Sequence, residues 1–230
     1  MPVPPRRIEG YDISNTQGAL SVAAMVVCVD GVASKKDYRH FRIKTVDGPN
    51  DFASMGEVIS RRFEHAKREL AERAAKGLPP GGGSFSDLPD LILIDGGPQQ
   101  LAYAHRAMRE AGFDIPMFAL AERLEEIFLP GAERPVLLDR HSPALHLIQR
   151  VRDEAHRFGI ARHRGLRGKA ATRSQLEDIP GVGPARRRAL LKHFKNIEAI
   201  REATSEQLLA APGMTKPAAQ AVYLHFLATK

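Results

Sequence analysis

The chain has 230 residues, 43% hydrophobic and 27% charged, an ordinary globular composition with room for one large domain or for a medium and a small one. No run approaches the ~18 apolar residues of a membrane span, the opening Met-Pro-Val-Pro-Pro-Arg-Arg has no secretory character, and the single Cys28 cannot close an intramolecular disulfide, so a reducing cytoplasm is expected. A net charge of +7 and a pI near 9.7 favour a polyanionic partner.

Alternating apolar and polar residues predict strands over 7–14, 19–29 and 38–45, with Asp30-Gly31 as a hairpin signal between the second and third. An amphipathic helix follows over 52–76, ended by Gly77 and the Pro-Pro-Gly-Gly-Gly loop. Asp90-Leu91-Ile92-Leu93-Ile94-Asp95 reads as a buried strand, Gly96-Gly97-Pro98 opens a helix through Glu110, and 115–120 is a further strand. Residues 127–129 and 136–138 are placed to pair around Pro130-Gly131, and a helix is expected over 142–157. Three antiparallel strands, a crossover helix and then strand–helix–strand make an α/β fold with a mixed sheet and flanking helices.

In that layout the first strand and the strand 91–95 can lie parallel and adjacent, which brings Asp12 and Asp95 within a few ångströms. Two carboxylates that close repel each other and invite a divalent cation, Mg2+ or Mn2+, able to activate water and stabilise a phosphoryl transition state. Asp95 before two glycines also fits a simple turn. Asp12, between Tyr11 and Ile13, is costly inside an apolar strand unless paired or metal-bound. Asp-Gly-Gly-Pro lacks the spacing of a dinucleotide loop and the Lys-Ser/Thr of a P-loop. The third element is Asp153-Glu154-Ala155-His156, where His156 is a candidate metal ligand or general base and Asp153 or Glu154 could join the shell. With nine histidines in the chain, a structural or exposed role for His156 is the alternative.

Residues 150–173 carry Arg150, Arg152, Arg157, Arg162, Arg164, Arg167, Lys169 and Arg173 against only Asp153 and Glu154. Such a run is either a solvated face or a polyanion contact, and 161–173 reads as a flexible basic linker. Beyond it Gln175-Leu176 through His193-Phe194 recurs as Gln207-Leu208 through His225-Phe226, with Pro-Gly and an alanine in register. Two copies this short are expected to share one core. In each, a short helix precedes Pro-Gly and a longer one follows; Ser174 with Glu177 and Thr204 with Gln207 are candidate capping boxes. A plain helical hairpin is one reading. The other is a phosphate site, in which Gly181, Gly183 and Gly213 let the backbone approach a phosphate, helix N–H groups point at it, and Arg186, Arg187, Arg188, Lys192 and Lys216 neutralise neighbours. Threonine stands at 215 where the first copy has Gly183, which weakens the second hairpin as a phosphate site. The repeat resembles a tandem helix-hairpin-helix domain, a sequence-independent DNA binder that grips backbone, not base edges.

The motifs Ile8-Glu9-Gly10-Tyr11-Asp12-Ile13-Ser14-Asn15-Thr16-Gln17-Gly18, Asp37-Tyr38-Arg39-His40-Phe41-Arg42-Ile43-Lys44, Arg61-Arg62-Phe63, the stretch from Pro89 to Gln100, and Arg152-Asp153-Glu154-Ala155-His156-Arg157-Phe158 occur in this order in the UvrC family. Nearly the whole chain resembles the C-terminal half of these endonuclease subunits of bacterial nucleotide excision repair. The resemblance implies a ribonuclease-H-like domain over 1–160, the basic linker, and a tandem helix-hairpin-helix domain over 174–230. It also implies an Asp-Asp-His triad carried by Asp12, Asp95 and His156 and the incision 5′ to a lesion. Double-stranded DNA and a UvrB–DNA complex are the implied partners, with a monomeric chain expected. The family's GIY-YIG nuclease, which makes the 3′ cut, and its UvrB-binding segment are not matched. Gly10 stands where cysteine is usual, Asn15 where histidine is common, and Glu122 in place of a lysine. A non-catalytic DNA-binding scaffold of the same fold and an RNA-cleaving enzyme are the alternatives.

Overall fold

The computed structural model describes residues 3–14, 22–46, 50–121, 124–177 and 179–227, with side chains for all of these except 162–175 and 177. It divides into two compact units, Met1–His163 and Arg164–Lys230.

The first unit is built on a seven-stranded mixed sheet. Strand β1 (Arg7–Ser14) lies between β2 (Val22–Val29), antiparallel to it, and β5 (Leu91–Asp95), parallel to it. Asp30 and Gly31, both at positive φ (49° and 79°), turn β2 into the two-residue β3 (Val32–Ala33). The main partner β4 (Arg39–Arg42) pairs with the other end of β2, so the strand expected over 38–45 is shorter and follows an extra short one. Of the expected second strand, residues 19–21 lie outside the described residues. Strand β6 (Met117–Ala121) runs parallel to β5, and β7 (Glu126–Phe128) closes that edge antiparallel. The pairing expected around Pro130-Gly131 is realised as the bridge Ile127–Val136.

Helices cover both faces because the strands alternate. Tyr11, Met25, Val27, Ile92 and Ile94 pack under α1 (Asp51–Ala75) and α2 (Pro98–Glu110). Helix α1 starts where the Asn50 side chain accepts the Ala53 N–H at 3.0 Å, and it buries Met55, Val58, Ile59 and Phe63 at helical spacing. The opposite face, Ile8, Val26, Leu93 and Leu120, packs against Leu145, Ile148, Val151 and Ala155 of α3 (Pro143–Glu177).

Helix α3 overruns the expected end near 157, and the segment 161–173 has helical backbone. No proline falls between Pro143 and Pro180, and the Ala, Arg, Leu and Gln between them favour helix. The candidate capping box at Ser174 and Glu177 accordingly falls inside a helix, not at its start.

The second unit contains α4 (Pro184–Phe194), α5 (Ile197–Glu202), α6 (Ser205–Leu209) and α7 (Lys216–Leu227). One core, with Leu176, Ile179, Leu190, Ile200, Leu208, Val222 and Phe226, serves both copies of the repeat, as two short copies require. The capping box at Thr204 and Gln207 is present: Thr204 Oγ1 accepts the Gln207 N–H, and Gln207 Oε1 accepts the Thr204 N–H. Helix α5 is an addition to the predicted elements; its signal was Asn196, whose side chain accepts the Ala199 N–H at 2.8 Å.

Candidate active site and nucleic-acid interface

Strand alternation decides which way the two aspartates face. On β1, Ile8, Gly10 and Asp12 point to the α3 side, while Glu9 and Tyr11 point to the α1 side. On β5, Leu93 faces α3 and so does Asp95 two residues later. The parallel register pairs Tyr11 with Ile94, so Asp12 and Asp95 occupy the next rung on the same face. His156 follows Ala155, the last residue of the buried α3 stripe before Gly159, and reaches the same point. Ligand-capable atoms of Asp12, Asp95 and His156 all lie within 4.8 Å of one another, the only such group among the described residues.

Asp12 is 5% exposed, whereas the His156 side chain is 58% exposed. His156 Nδ1 lies 3.6 Å from Asp12 Oδ1, and the Ser14 hydroxyl donates to the other oxygen, Oδ2, at 2.6 Å. Asp12 therefore has one oxygen held within its own strand and the other turned toward the histidine. Gly159 lies one helical turn beyond Ala155; a Cβ there would stand 2.7 Å from Asp12 Oδ2, so the helix passes hard against the carboxylate. Two carboxylates and an imidazole with ligand-capable atoms within 4.8 Å of one another offer the donors of a divalent-cation site. The residues present fit such an ion.

Asp153 and Glu154 do not join the group. Helical spacing turns them from the sheet: Asp153 pairs with Arg152, and Glu154 accepts from Arg157 and, at 3.1 Å, from the Tyr38 hydroxyl. Arg152 also holds Glu125 at 2.8 Å, so both Arg152 and Arg157 of the basic run are engaged in ion pairs. His40 shares the rung of Asp12 across β2, yet its ring stacks on Phe158 at 3.9 Å.

Two features escaped the sequence reading. Ser14 is the nearer: a serine two residues beyond an aspartate in a strand lies on the same face, and that spacing was the available signal. The other lies behind the site. Arg62 of α1 makes a two-pronged contact with Glu9, Nη2 to Oε1 at 2.8 Å and Nε to Oε2 at 3.1 Å, and both side chains are fully buried. The Tyr11 hydroxyl adds a third bond to Glu9 at 2.6 Å. Burial and the Glu9 charge push the Tyr11 phenol well up. Glu9 and Arg62 lie 53 positions apart, and no sequence pattern couples them.

In the second unit the two hairpins are alike. Val182 N–H bonds Ile179 O at 3.0 Å and Met214 N–H bonds Ala211 O at 3.2 Å, with Gly181 and Gly213 at φ +81° and +77°, the type II position that selects glycine after proline. Gly183 sits at φ −71° with open space where a Cβ would be, a backbone that Thr215 can share. Arg188, Lys192 and Lys216 are exposed. Arg187 is only 7% exposed, so it does not stand in the row of exposed cations the sequence suggested. The Arg186 guanidinium bonds Gly181 O and Gly213 O.

Residues 1–160 match the UvrC RNAse H endonuclease domain, and residues 174–226 match the SAM-like helix-hairpin-helix tandem. The chain belongs to the UvrC family. Among UvrC relatives, the UvrABC system protein C of Gloeobacter violaceus is 48% identical over 98% of the chain, and that of Moorella thermoacetica 51% identical over 95%. The chain spans about a third of the length of these relatives, 35% and 34%. A solved structure of Ciona intestinalis endonuclease V, in complex with a 24mer DNA containing an inosine followed by a ribo-adenosine, is similar over 70% of this chain and 87% of its own, at 12% identity and a TM-score of 0.36. Gly10, where UvrC sequences were expected to carry cysteine, is where α3 meets the sheet: a Cβ there would stand 2.7 Å from Val151 Cγ1. No helix among the described residues is long and apolar enough to cross a membrane.

Proposed function

We propose that this chain hydrolyses a DNA phosphodiester with the help of Mg2+ or Mn2+, making the incision 5′ to a lesion in nucleotide excision repair. The observation that carries the reading is the buried Asp12 set against Asp95 and His156, with ligand atoms within 4.8 Å on one face of the sheet. Membership of the UvrC family and the endonuclease-domain match support it.

Asp12 and Asp95 would hold the cation, with His156 completing the group. When bound, such an ion lowers the pKa of a water and offsets the charge that gathers on the phosphoryl oxygens. The chain's own residues set the geometry. Ser14 fixes the Asp12 carboxylate so that Oδ1 faces the site. His156, exposed along one edge, orients the attacking water at Nε2, the ring nitrogen opposite the one near Asp12. The hairpins hold the duplex by its backbone through helix N–H groups and through Arg188, Lys192 and Lys216. Double-stranded DNA is the substrate class, a UvrB–DNA complex the partner assembly and the cytoplasm the compartment.

The test joins this chain to an intact UvrC N-terminal half and measures 5′ incision of lesion-bearing duplex with UvrA and UvrB. Asp12→Ala and Asp95→Ala should each abolish the 5′ cut while leaving the 3′ cut. Retained 5′ incision in either variant sinks the assignment. DNA binding without metal-dependent cutting in the unmutated protein would favour a scaffold role instead.

A further inference from the structure

Arg186 is placed by sequence among the cations that would neutralise phosphates, but two of its guanidinium N–H groups bond inside the unit. Nη1 donates to the carbonyl oxygen of Gly181 at 2.7 Å and Nε donates to that of Gly213 at 2.9 Å. These oxygens are equivalent atoms of the two repeat copies, each in a Pro-Gly turn of the same geometry. One planar side chain thus joins its own hairpin to the second one, whose Gly213 lies 27 residues beyond Arg186.

The repeat is unequal at this position for a physical reason. In register, Ala218 of α7 is the counterpart of Arg186, and it is 2% exposed. A Cβ on Gly181 would stand 3.7 Å from the Ala218 Cβ, so the first hairpin lies directly over that alanine. A second long side chain at 218 would collide with the hairpin, and a single arginine serves both turns.

We propose that Arg186 is a positioning residue that locks the two hairpins into one phosphate-binding platform, so that the second hairpin contributes to duplex binding despite Thr215. The proposal rests on the reading that this unit binds DNA. The fork fixes the separation of the two turns, and with it the direction in which the N–H groups opening α4 and α7 point. Its charge also offsets the partial negative charge of two carbonyls that a nearby phosphate would otherwise meet.

The test uses the full chain with Arg186→Lys, Arg186→Met and, as a comparison, Lys192→Ala. Amide hydrogen exchange over 211–216 is measured without DNA, and binding to a mixed-sequence DNA duplex is measured by anisotropy across a salt series. Each hairpin bond lost should raise exchange there about fivefold, the factor that matches the net worth of one hydrogen bond. The lysine variant should bind duplex about tenfold more weakly although it keeps the charge. Lys192→Ala should leave exchange unchanged and reduce the salt slope by about one. Should Arg186→Met fail to fold, the lysine variant decides. Arg186→Lys that binds and exchanges like wild type overturns the proposal, as does faster exchange with unchanged affinity. A wild-type chain that binds no duplex is a different result, and overturns the DNA-binding reading itself.

Discussion

Replacing Arg62 by Met tests whether the buried pair behind the site organises the strand that carries Asp12. Arg62 and Glu9 are both fully buried, and the guanidinium makes two bonds to Glu9 and one each to the carbonyl oxygens of Phe85 and Asp87. Burial opposes the charged form of Arg62, but the Glu9 carboxylate beside it and its hydrogen bonds outweigh burial and hold the guanidinium above its ordinary pKa. Removing the cation leaves the Glu9 carboxylate in an apolar layer with Tyr11, at 2.6 Å, and Arg7, at 3.7 Å, as its polar neighbours among the described residues. Breaking a buried pair in this way costs about 3–5 kcal/mol, whereas replacing both members by apolar residues of similar volume is often neutral. The assay is urea unfolding of Arg62→Met, Glu9→Met and the double variant, with the coupling taken from the cycle. Each single variant should lose about 3 kcal/mol or more, and the double much less than their sum. Losses under about 1 kcal/mol in Arg62→Met, the scale of exposed pairs, would refute the argument that this pair is buried and coupled.

Gly10→Leu should destabilise the first unit by about 1–3 kcal/mol, because even its Cβ would meet Val151 Cγ1 at 2.7 Å; Val151→Ala should recover part of the loss in the same unfolding experiment. Ser14→Ala frees one oxygen of Asp12 and should weaken Mn2+ binding, measured by calorimetry, by about 10-fold or more, the effect typical of a residue that orients a ligand. On acidification, Glu57, Glu69 and Glu154 should be among the carboxylates whose protonation lowers stability. At Glu57 and Glu69 burial would raise the pKa, but hydrogen bonds from Thr45 and Lys44, and from Phe85, Ser84 and Ser86, outweigh it and hold both below the ordinary 4.5. At Glu154 the bond from Arg157 lowers the pKa and outweighs its partial burial. Depressed carboxylates stabilise the fold above their unfolded value, so stability is retained above about pH 4.5 and falls as pH drops below it. Glu57→Gln should flatten that fall, as read from urea midpoints at a series of pH values; an unchanged pH profile would count against the Lys44–Thr45 clamp.

The sequence by itself determined the elements whose signals are local. Alternation marked β1, a continuous apolar run marked β5, helical spacing marked α1, and the repeat from Gln175 to Phe226 announced two hairpins sharing one core. The parallel neighbours Asp12 and Asp95 could be inferred because strand alternation and a right-handed crossover leave few arrangements. The end of α3 was not legible, since 158–177 holds glycines that can end a helix as well as a proline-free run of helix formers that can continue it. That Arg187 is only 7% exposed was likewise closed to sequence, because residue type alone does not say which cation of a basic run the packed helices cover. Spacing left the role of His156 open and the family resemblance implied it; the tertiary structure brings the side chain to the carboxylates by laying Ala155 and Gly159 against β1. It alone joined Glu9 to Arg62, and Arg186 to two carbonyls, because side chains distant along the chain meet only after the layers have packed.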